Sequence, residues 1–216
     1  MSIPLPPFNS NDVNVLKTET LYQGFFKAEK MTLRHRLYEG GWSTDIVREV
    51  FVRGQAVGIV LFDPVRDLIG LVEQIRIGAI GHQASPWCLE VVAGMTEIGE
   101  SLTEVARREI EEETSLVPTA MEYICEYMAS PGGCTERLHL FCGLVDLDQE
   151  AGVHGLEEEG EDIKLYILPA QEVFDELYGG RFNNAATLIG LQWLQLNRAR
   201  ISSEINTDNE LGEDEV

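Results

Sequence analysis

Residues 94–116 read GMTEIGESLTEVARREIEEETSL, and this stretch decides the fold. Its second half is a helix by pattern. Ser101 followed by Glu104 forms a capping box, in which each side chain serves the other's orphan backbone N–H. Few helix breakers follow until Ser115. Glu109, Glu112 and Glu113 stand at i, i+3 and i+4, so at roughly 100° per residue they share one side of the helix. Leu102, Val105 and Ala106 project from the same arc one or two turns earlier. A core-facing stripe thus runs into three carboxylates, which repel one another unless something positive lies among them. Clustered carboxylates are hard oxygen ligands suited to Mg²⁺ or Mn²⁺. The competing explanation for an isolated run of glutamates is a solvated acidic face.

The spacing weighs against that bland explanation. From Gly94, five residues precede Glu100, seven more precede Arg108-Glu109, and Ile110-Glu111-Glu112-Glu113-Thr114-Ser115-Leu116 follows. This resembles the Nudix box, the loop-helix-loop signature of Nudix hydrolases, at every fixed position but one. The family has glycine where this chain has Ser115. That position follows the helix and favours the left-handed conformation, so serine costs on the order of 1 kcal/mol there. It touches no ligand, so the departure bears on local stability more than on chemistry.

A chain of 216 residues holds one mid-sized domain and a smaller attachment. A net charge of −21 argues against a nucleic-acid partner, whose phosphates would be repelled. A small anionic substrate would need a local group of arginines. Cys88, Cys125, Cys134 and Cys142 form no CxxC pair, which fits reduced thiols and a cytoplasmic location. The opening MSIPLPPFNS lacks the basic region and apolar core of a signal peptide, and no apolar run is long enough to span a membrane.

Taken in order, residues 1–11 are expected to be an irregular lead-in. Residues 13–53 are β-like, with candidate strands at Phe25-Phe26, Met31–Leu33 and Ile46–Phe51. Two or three strands are too few to stand alone, so this segment must pack on the main domain or on a second subunit. The run AVGIVLF at 56–62 suits a central buried strand, with Leu68–Gln74 beside it. Trp87–Val92 is a strand that delivers Gly94. Met121–Met128, His139–Val145 and Ile163–Leu168 are further strands, and Ala170–Tyr178 and Ala185–Leu196 are helices. The expected fold class is α+β: a mixed sheet between helices with a small N-terminal antiparallel β domain. The domains are 1–53, 54–201 and an acidic tail, 202–216, expected to be disordered.

The resemblance extends beyond the box. LYQGFF at 21–26, RHRL at 34–37, FDPVRD at 62–67, EQIRI at 73–77, the ASPGG loop and NNAATLIGLQWLQL at 183–196 look like bacterial ADP-ribose pyrophosphatases of the Nudix family. In that subgroup a proline stands sixteen residues past the last box glycine, and here Pro131 does so, although a Pro-Gly turn would also account for it. The resemblance implies metal-dependent hydrolysis of a diphosphate. Glu109, Glu112 and Glu113, with the Ala93 carbonyl, would hold two or three Mg²⁺ ions, or Mn²⁺. Arg108 would pair with the glutamates and orient them. Arg48 and Arg76 would contact the diphosphate or terminal ribose, Phe25 would stack near the adenine, and Met95 and Glu136 would line the ribose side. Phe25 as core and Glu136 as a turn residue are the competing readings. The base would be a glutamate of the loop at 152–162, with Glu159 favoured by alignment to the following Glu-Asp-Ile and Glu158 and Glu161 as runners-up. Family precedent and the orphan N-terminal strands imply a homodimer with exchanged N-terminal segments. The alternatives are a Nudix pyrophosphatase for other nucleoside diphosphate sugars, or a non-catalytic ADP-ribose sensor. The latter would typically show eroded box glutamates, and here they are intact.

Overall fold

The computed structural model describes residues 3–81, 85–97, 99–148, 151–156, 158 and 160–213, with backbone alone described from 205 onward. Two compact units emerge. One comprises 1–54 together with 128–136, and the other 55–127 with 137–216.

The second unit is built on β4 (Gln55–Asp63), which is apolar on both faces because both faces are covered. Val57, Ile59 and Leu61 pack with Val105, Ala106 and Ile110 of α1 (Leu102–Thr114). Val60 and Phe62 point the other way, into a cluster with Val173 and Phe174 of α2 (Ala170–Asp175) and Leu191 and Leu194 of α3 (Ala185–Glu213). Helices thus lie on both sides of a mixed sheet. Its path also includes β5 (Leu68–Ile75), β8 (Ala120–Met128), β9 (Arg137–Leu144), β10 (Val153–His154) and β11 (Ile163–Pro169), in the order β10-β11-β5-β4-β9-β8. The β4–β9 pairing is parallel, whereas β4–β5, β5–β11 and β10–β11 are antiparallel.

The feature that positions the motif is a split in this sheet. β4 and β5 pair only over Leu61–Asp63 and Leu68–Gly70. Beyond that point the stretch expected as one strand, Trp87–Val92, fills the gap as two. β6 (Trp87–Glu90) pairs with β5, and β7 (Val92–Met95) pairs with β4. Val91, at the change of partner, donates its backbone N–H to Thr187 Oγ1 of α3 at 3.1 Å, so the break leaves no orphan donor. β7 then carries the chain to Gly94 and into the box.

The first unit is an antiparallel sheet of β1 (Val13–Gln23), β2 (Lys27–His35) and β3 (Ile46–Val52). Phe25 and Phe26, expected within a strand, form the bend between β1 and β2 instead, next to Gly24. The 128–136 segment joins this unit through Phe51 N–H to Gly133 O (2.8 Å) and Thr135 N–H to Phe51 O (3.0 Å). Among the described residues of 3–54 none is fully buried. Val15, Leu21, Tyr22 and Val47 are all exposed apolar side chains on its strands.

Two helices differ from expectation. α2 ends at Asp175, short of Tyr178. α3 continues through the segment expected to be a disordered tail, as far as Glu213. That segment's polar composition contains few helix breakers. At its start Arg200 pairs with Glu204 one turn on, at 3.2 Å, and with Glu122 of β8 at 2.8 Å. No helix among the described residues is long and apolar enough to cross a membrane.

Ile110 is fully buried and lies between the site glutamates on α1. Ile110→Ala is expected to lower unfolding stability by about 2–5 kcal/mol in urea titrations, through lost burial plus the residual cavity. Leu196→Ala, at an 84% exposed position, is expected to change it by less than about 0.5 kcal/mol.

Candidate active site

α1 begins as the sequence indicates. Ser101 N–H donates to Glu104 Oε2 at 2.8 Å and Glu104 N–H donates to Ser101 Oγ at 3.3 Å. It ends at Ser115, which adopts the left-handed conformation (φ 58°, ψ 17°) expected of the missing glycine. Between these ends Glu109 and Glu113 face β7. A side chain on Gly94 would place its Cβ 1.8 Å from the Glu109 carboxyl carbon, so any larger residue there would displace the carboxylate that lies against it.

Arg108 ties the cluster together. Its Nη1 donates to Glu109 Oε1 at 2.8 Å and to Glu112 Oε2 at 3.0 Å. Nε and Nη2 reach Glu100 at 3.3 Å, and Nη2 also reaches the Met95 carbonyl oxygen at 3.4 Å. Burial works against the guanidinium charge, but the Glu100, Glu109 and Glu112 carboxylates outweigh it and raise the pKa. Arg108 is therefore saturated by protein carboxylates and orients them.

One positive charge does not balance the cluster. Burial pushes the Glu109 carboxyl up to about 7 despite Arg108, with the Glu112 charge adding to the rise. Burial pushes Glu113 up to about 8, with the Glu109 charge adding to it. Glu113 is 2% exposed; Gln74 Nε2 donates to its Oε1 at 3.5 Å, and its Oε2 is buried without a hydrogen-bond partner. Such a group needs a cation or a proton. Among the described residues no three acidic, histidine or cysteine side chains converge into a ready-made metal cluster. The orphaned Glu113 oxygen and the hard-oxygen donor set nevertheless fit a divalent ion.

Ala93 and Met95 lie on β7 beside these glutamates. Arg76 borders a cavity of about 370 Å³ with Gly78, Ala79, Cys88, Glu90, Asn183 and Asn184. Its Nε donates to Glu90 Oε1 at 2.7 Å, and Asn184 Nδ2 donates to Glu90 Oε2 at 3.4 Å. Gln74, Glu90 and Asn184 were not anticipated. For Glu90 and Asn184 the signals were a carboxylate inside the otherwise apolar strand CLEVV and an Asn pair immediately before a helix; Gln74 had none. The other expected substrate residues belong to the first unit. Arg48, on β3, donates from Nη1 to the Val47 carbonyl oxygen at 2.8 Å. Phe25 is 86% exposed and packs edge-on against Phe26, so it is not a core residue. Pro131 is exposed in a turn, and Glu136 is paired with Arg53 at 2.9 Å. Glu159 lies outside the described residues. Glu158 is exposed, while Glu161 Oε2 accepts from Leu156 N–H at 3.0 Å and its charge reaches both Glu109 and Glu113.

The NUDIX domain family matches residues 52–188. The chain belongs to the NUDIX family. It is 44% identical to the ADP-ribose pyrophosphatase of Escherichia coli over 197 residues, covering 91% of this chain and 94% of that one. Its identity to the ADP-ribose pyrophosphatase of Haemophilus influenzae is 42%, covering 90% and 91%. It is also similar to the GDP-mannose pyrophosphatase of Yersinia pestis, at 30% identity covering 84% and 91%. A crystal structure of an ADP compounds hydrolase superposes with a TM-score of 0.65 at 22% identity, covering 85% of this chain and 95% of that one, which supports the fold. This NUDIX protein is a hydrolase of α+β architecture.

The raised carboxyls fix the sign of a pH effect. Unfolded glutamates titrate near pH 4.3, well below the folded Glu109 and Glu113. Between pH 4.3 and about 8 the folded state therefore holds protons that the unfolded state has released, and stability falls as pH rises through that window. With chelator present, the Tm is expected to drop between pH 5 and pH 8, and Glu113→Gln is expected to flatten the slope. Adding Mg²⁺ at pH 8 is expected to raise the wild-type Tm.

Proposed function

We propose that this NUDIX hydrolase cleaves the pyrophosphate bond of ADP-ribose, with one water consumed and AMP and ribose 5-phosphate released. The observation that carries the reading is the under-neutralised carboxylate cluster on α1 in a chain 44% identical, nearly end to end, to an ADP-ribose pyrophosphatase. The weaker similarity to a GDP-mannose pyrophosphatase makes other nucleoside diphosphate sugars the second reading.

Glu109, Glu112 and Glu113, with the Ala93 carbonyl oxygen, hold divalent ions, Mg²⁺ with Mn²⁺ as the alternative, in two or three sites. When bound, such ions neutralise the diphosphate oxygens and acidify water. Arg108 keeps Glu109 and Glu112 oriented through its hydrogen bonds. Arg76, held by Glu90 on the cavity wall, supplies positive charge to the anionic substrate within an acidic chain. Arg48, Phe25, Met95, Pro131 and Glu136 serve substrate binding. A carboxylate of the loop at 155–162 accepts the proton of the attacking water. The resemblance favours Glu159, which lies outside the described residues, and Glu161 is the described acid electrostatically coupled to the cluster.

The chain works as a homodimer. A three-stranded sheet with no fully buried residue cannot stabilise itself, and a second copy exchanging its N-terminal segment would cover it. The four cysteines are free, which suits the reducing cytoplasm.

The test is to incubate ADP-ribose with protein and Mg²⁺ and quantify AMP. Wild type is expected to release it, with GDP-mannose turned over more slowly. Glu113→Gln is expected to lower kcat on the order of 100-fold or more. Turnover unchanged in that variant would remove α1 from the mechanism.

A further inference from the structure

The serine in place of the box glycine contacts more than its own helix. Ser115 holds the left-handed conformation that glycine adopts at lower cost, and its Oγ lies 3.1 Å from His154 Nδ1 of β10. The next residue, Gly155, donates its backbone N–H to the Glu112 carbonyl oxygen at 3.3 Å. Two hydrogen bonds thus join the C-terminal turn of α1 to the start of one loop.

That loop is closed at its neck. His154 pairs with Ile163 across the β10–β11 hairpin. Leu156 N–H donates to Glu161 Oε2 at 3.0 Å, and Glu161 N–H donates back to the Leu156 carbonyl oxygen at 3.2 Å. Gly155 has a φ of +102°, and a Cβ there would stand 2.8 Å from the Glu161 Cβ, so only glycine fits between the two attachments. The path runs Ser115, His154, Gly155, Leu156, Glu161, each link a covalent or hydrogen bond. The Glu161 carboxylate is therefore placed relative to α1 by this path.

We propose that Ser115 and His154 are positioning residues, forming a clip that holds Gly155, Leu156 and the Glu161 carboxylate at the C-terminal end of α1. The inference rests on the reading of α1 and this loop as the hydrolytic site. Neither residue touches substrate. Their work is to keep the Glu161 carboxylate at a fixed reach from Glu109 and Glu113, so that this acid meets the attacking water in one geometry.

Ser115→Gly separates this role from a purely structural one, because the two predict different outcomes. Glycine relieves the left-handed backbone, so the Tm is expected to hold or rise. Loss of the clip is expected to lower kcat for ADP-ribose about 5- to 20-fold at unchanged KM, the loss expected for a misplaced rather than a missing acid. His154→Ala is expected to give the same kcat loss, and the double variant no more than either single. Ser115→Asn, which tolerates the left-handed conformation and keeps a hydrogen-bonding group, is expected to restore most of the activity. Amide hydrogen exchange in 153–162 is expected to quicken in Ser115→Gly and return toward wild type in Ser115→Asn. An active wild type whose Ser115→Gly variant keeps its kcat overturns this inference alone. A wild type inert toward ADP-ribose overturns the reading beneath it, and unchanged exchange in Ser115→Gly overturns the clip itself.

Discussion

Everything at the site depends on burying carboxylates that the protein does not fully neutralise. Glu109 and Glu113 sit against β7 and the sheet, where desolvation disfavours their charged forms. Arg108 offsets part of this, but its hydrogen bonds go to Glu100, Glu109 and Glu112, and Glu113 keeps an unpartnered oxygen. The arrangement is costly wherever nothing neutralises these carboxylates. That cost is the counterpart of affinity for a cation, since whatever neutralises the cluster recovers it.

The sheet supplies the rigidity such a cluster requires. By diverging after three paired residues, β4 and β5 admit the β6–β7 segment, and this brings Gly94 flush against Glu109 while Glu90 faces Arg76. The apolar residues of β4 pack alternately on α1 and on α2 and α3, so the helix carrying the carboxylates is fixed by core contacts along the same buried face on which Glu109 and Glu113 lie. A buried charge can be held in place only by surroundings that cannot relax around it.

The N-terminal sheet obeys the opposite logic. Its strands are long and well paired, with bulges near Lys17 and Tyr22, yet many of its apolar side chains, Val15, Leu21, Tyr22 and Val47 among them, remain at the surface. Hydrogen bonding gives it a shape, but hydrophobic burial, the larger stabilising contribution, is only partial, with most of β2 half-buried.

The spacing of the box determined the helix, its capping box, its three aligned glutamates and the family, because these are local consequences of side-chain period and backbone capping. The continuous apolar run of β4 likewise made a doubly covered strand legible, since period alone reports burial on both faces. The sheet split at Val91, the Arg76–Glu90–Asn184 set and the Ser115–His154 contact were not legible. Each joins residues far apart in the chain, and nothing in a local pattern records which distant group will receive a given donor. The helical continuation past Ser202 was also missed, because an acidic composition says how a segment is solvated and not whether its backbone is coiled. The sequence alone thus determined the identity of the charged groups and the face they occupy. Only the tertiary structure decided how deeply they are buried, and burial is what leaves Glu109 and Glu113 in need of a proton or a positive partner.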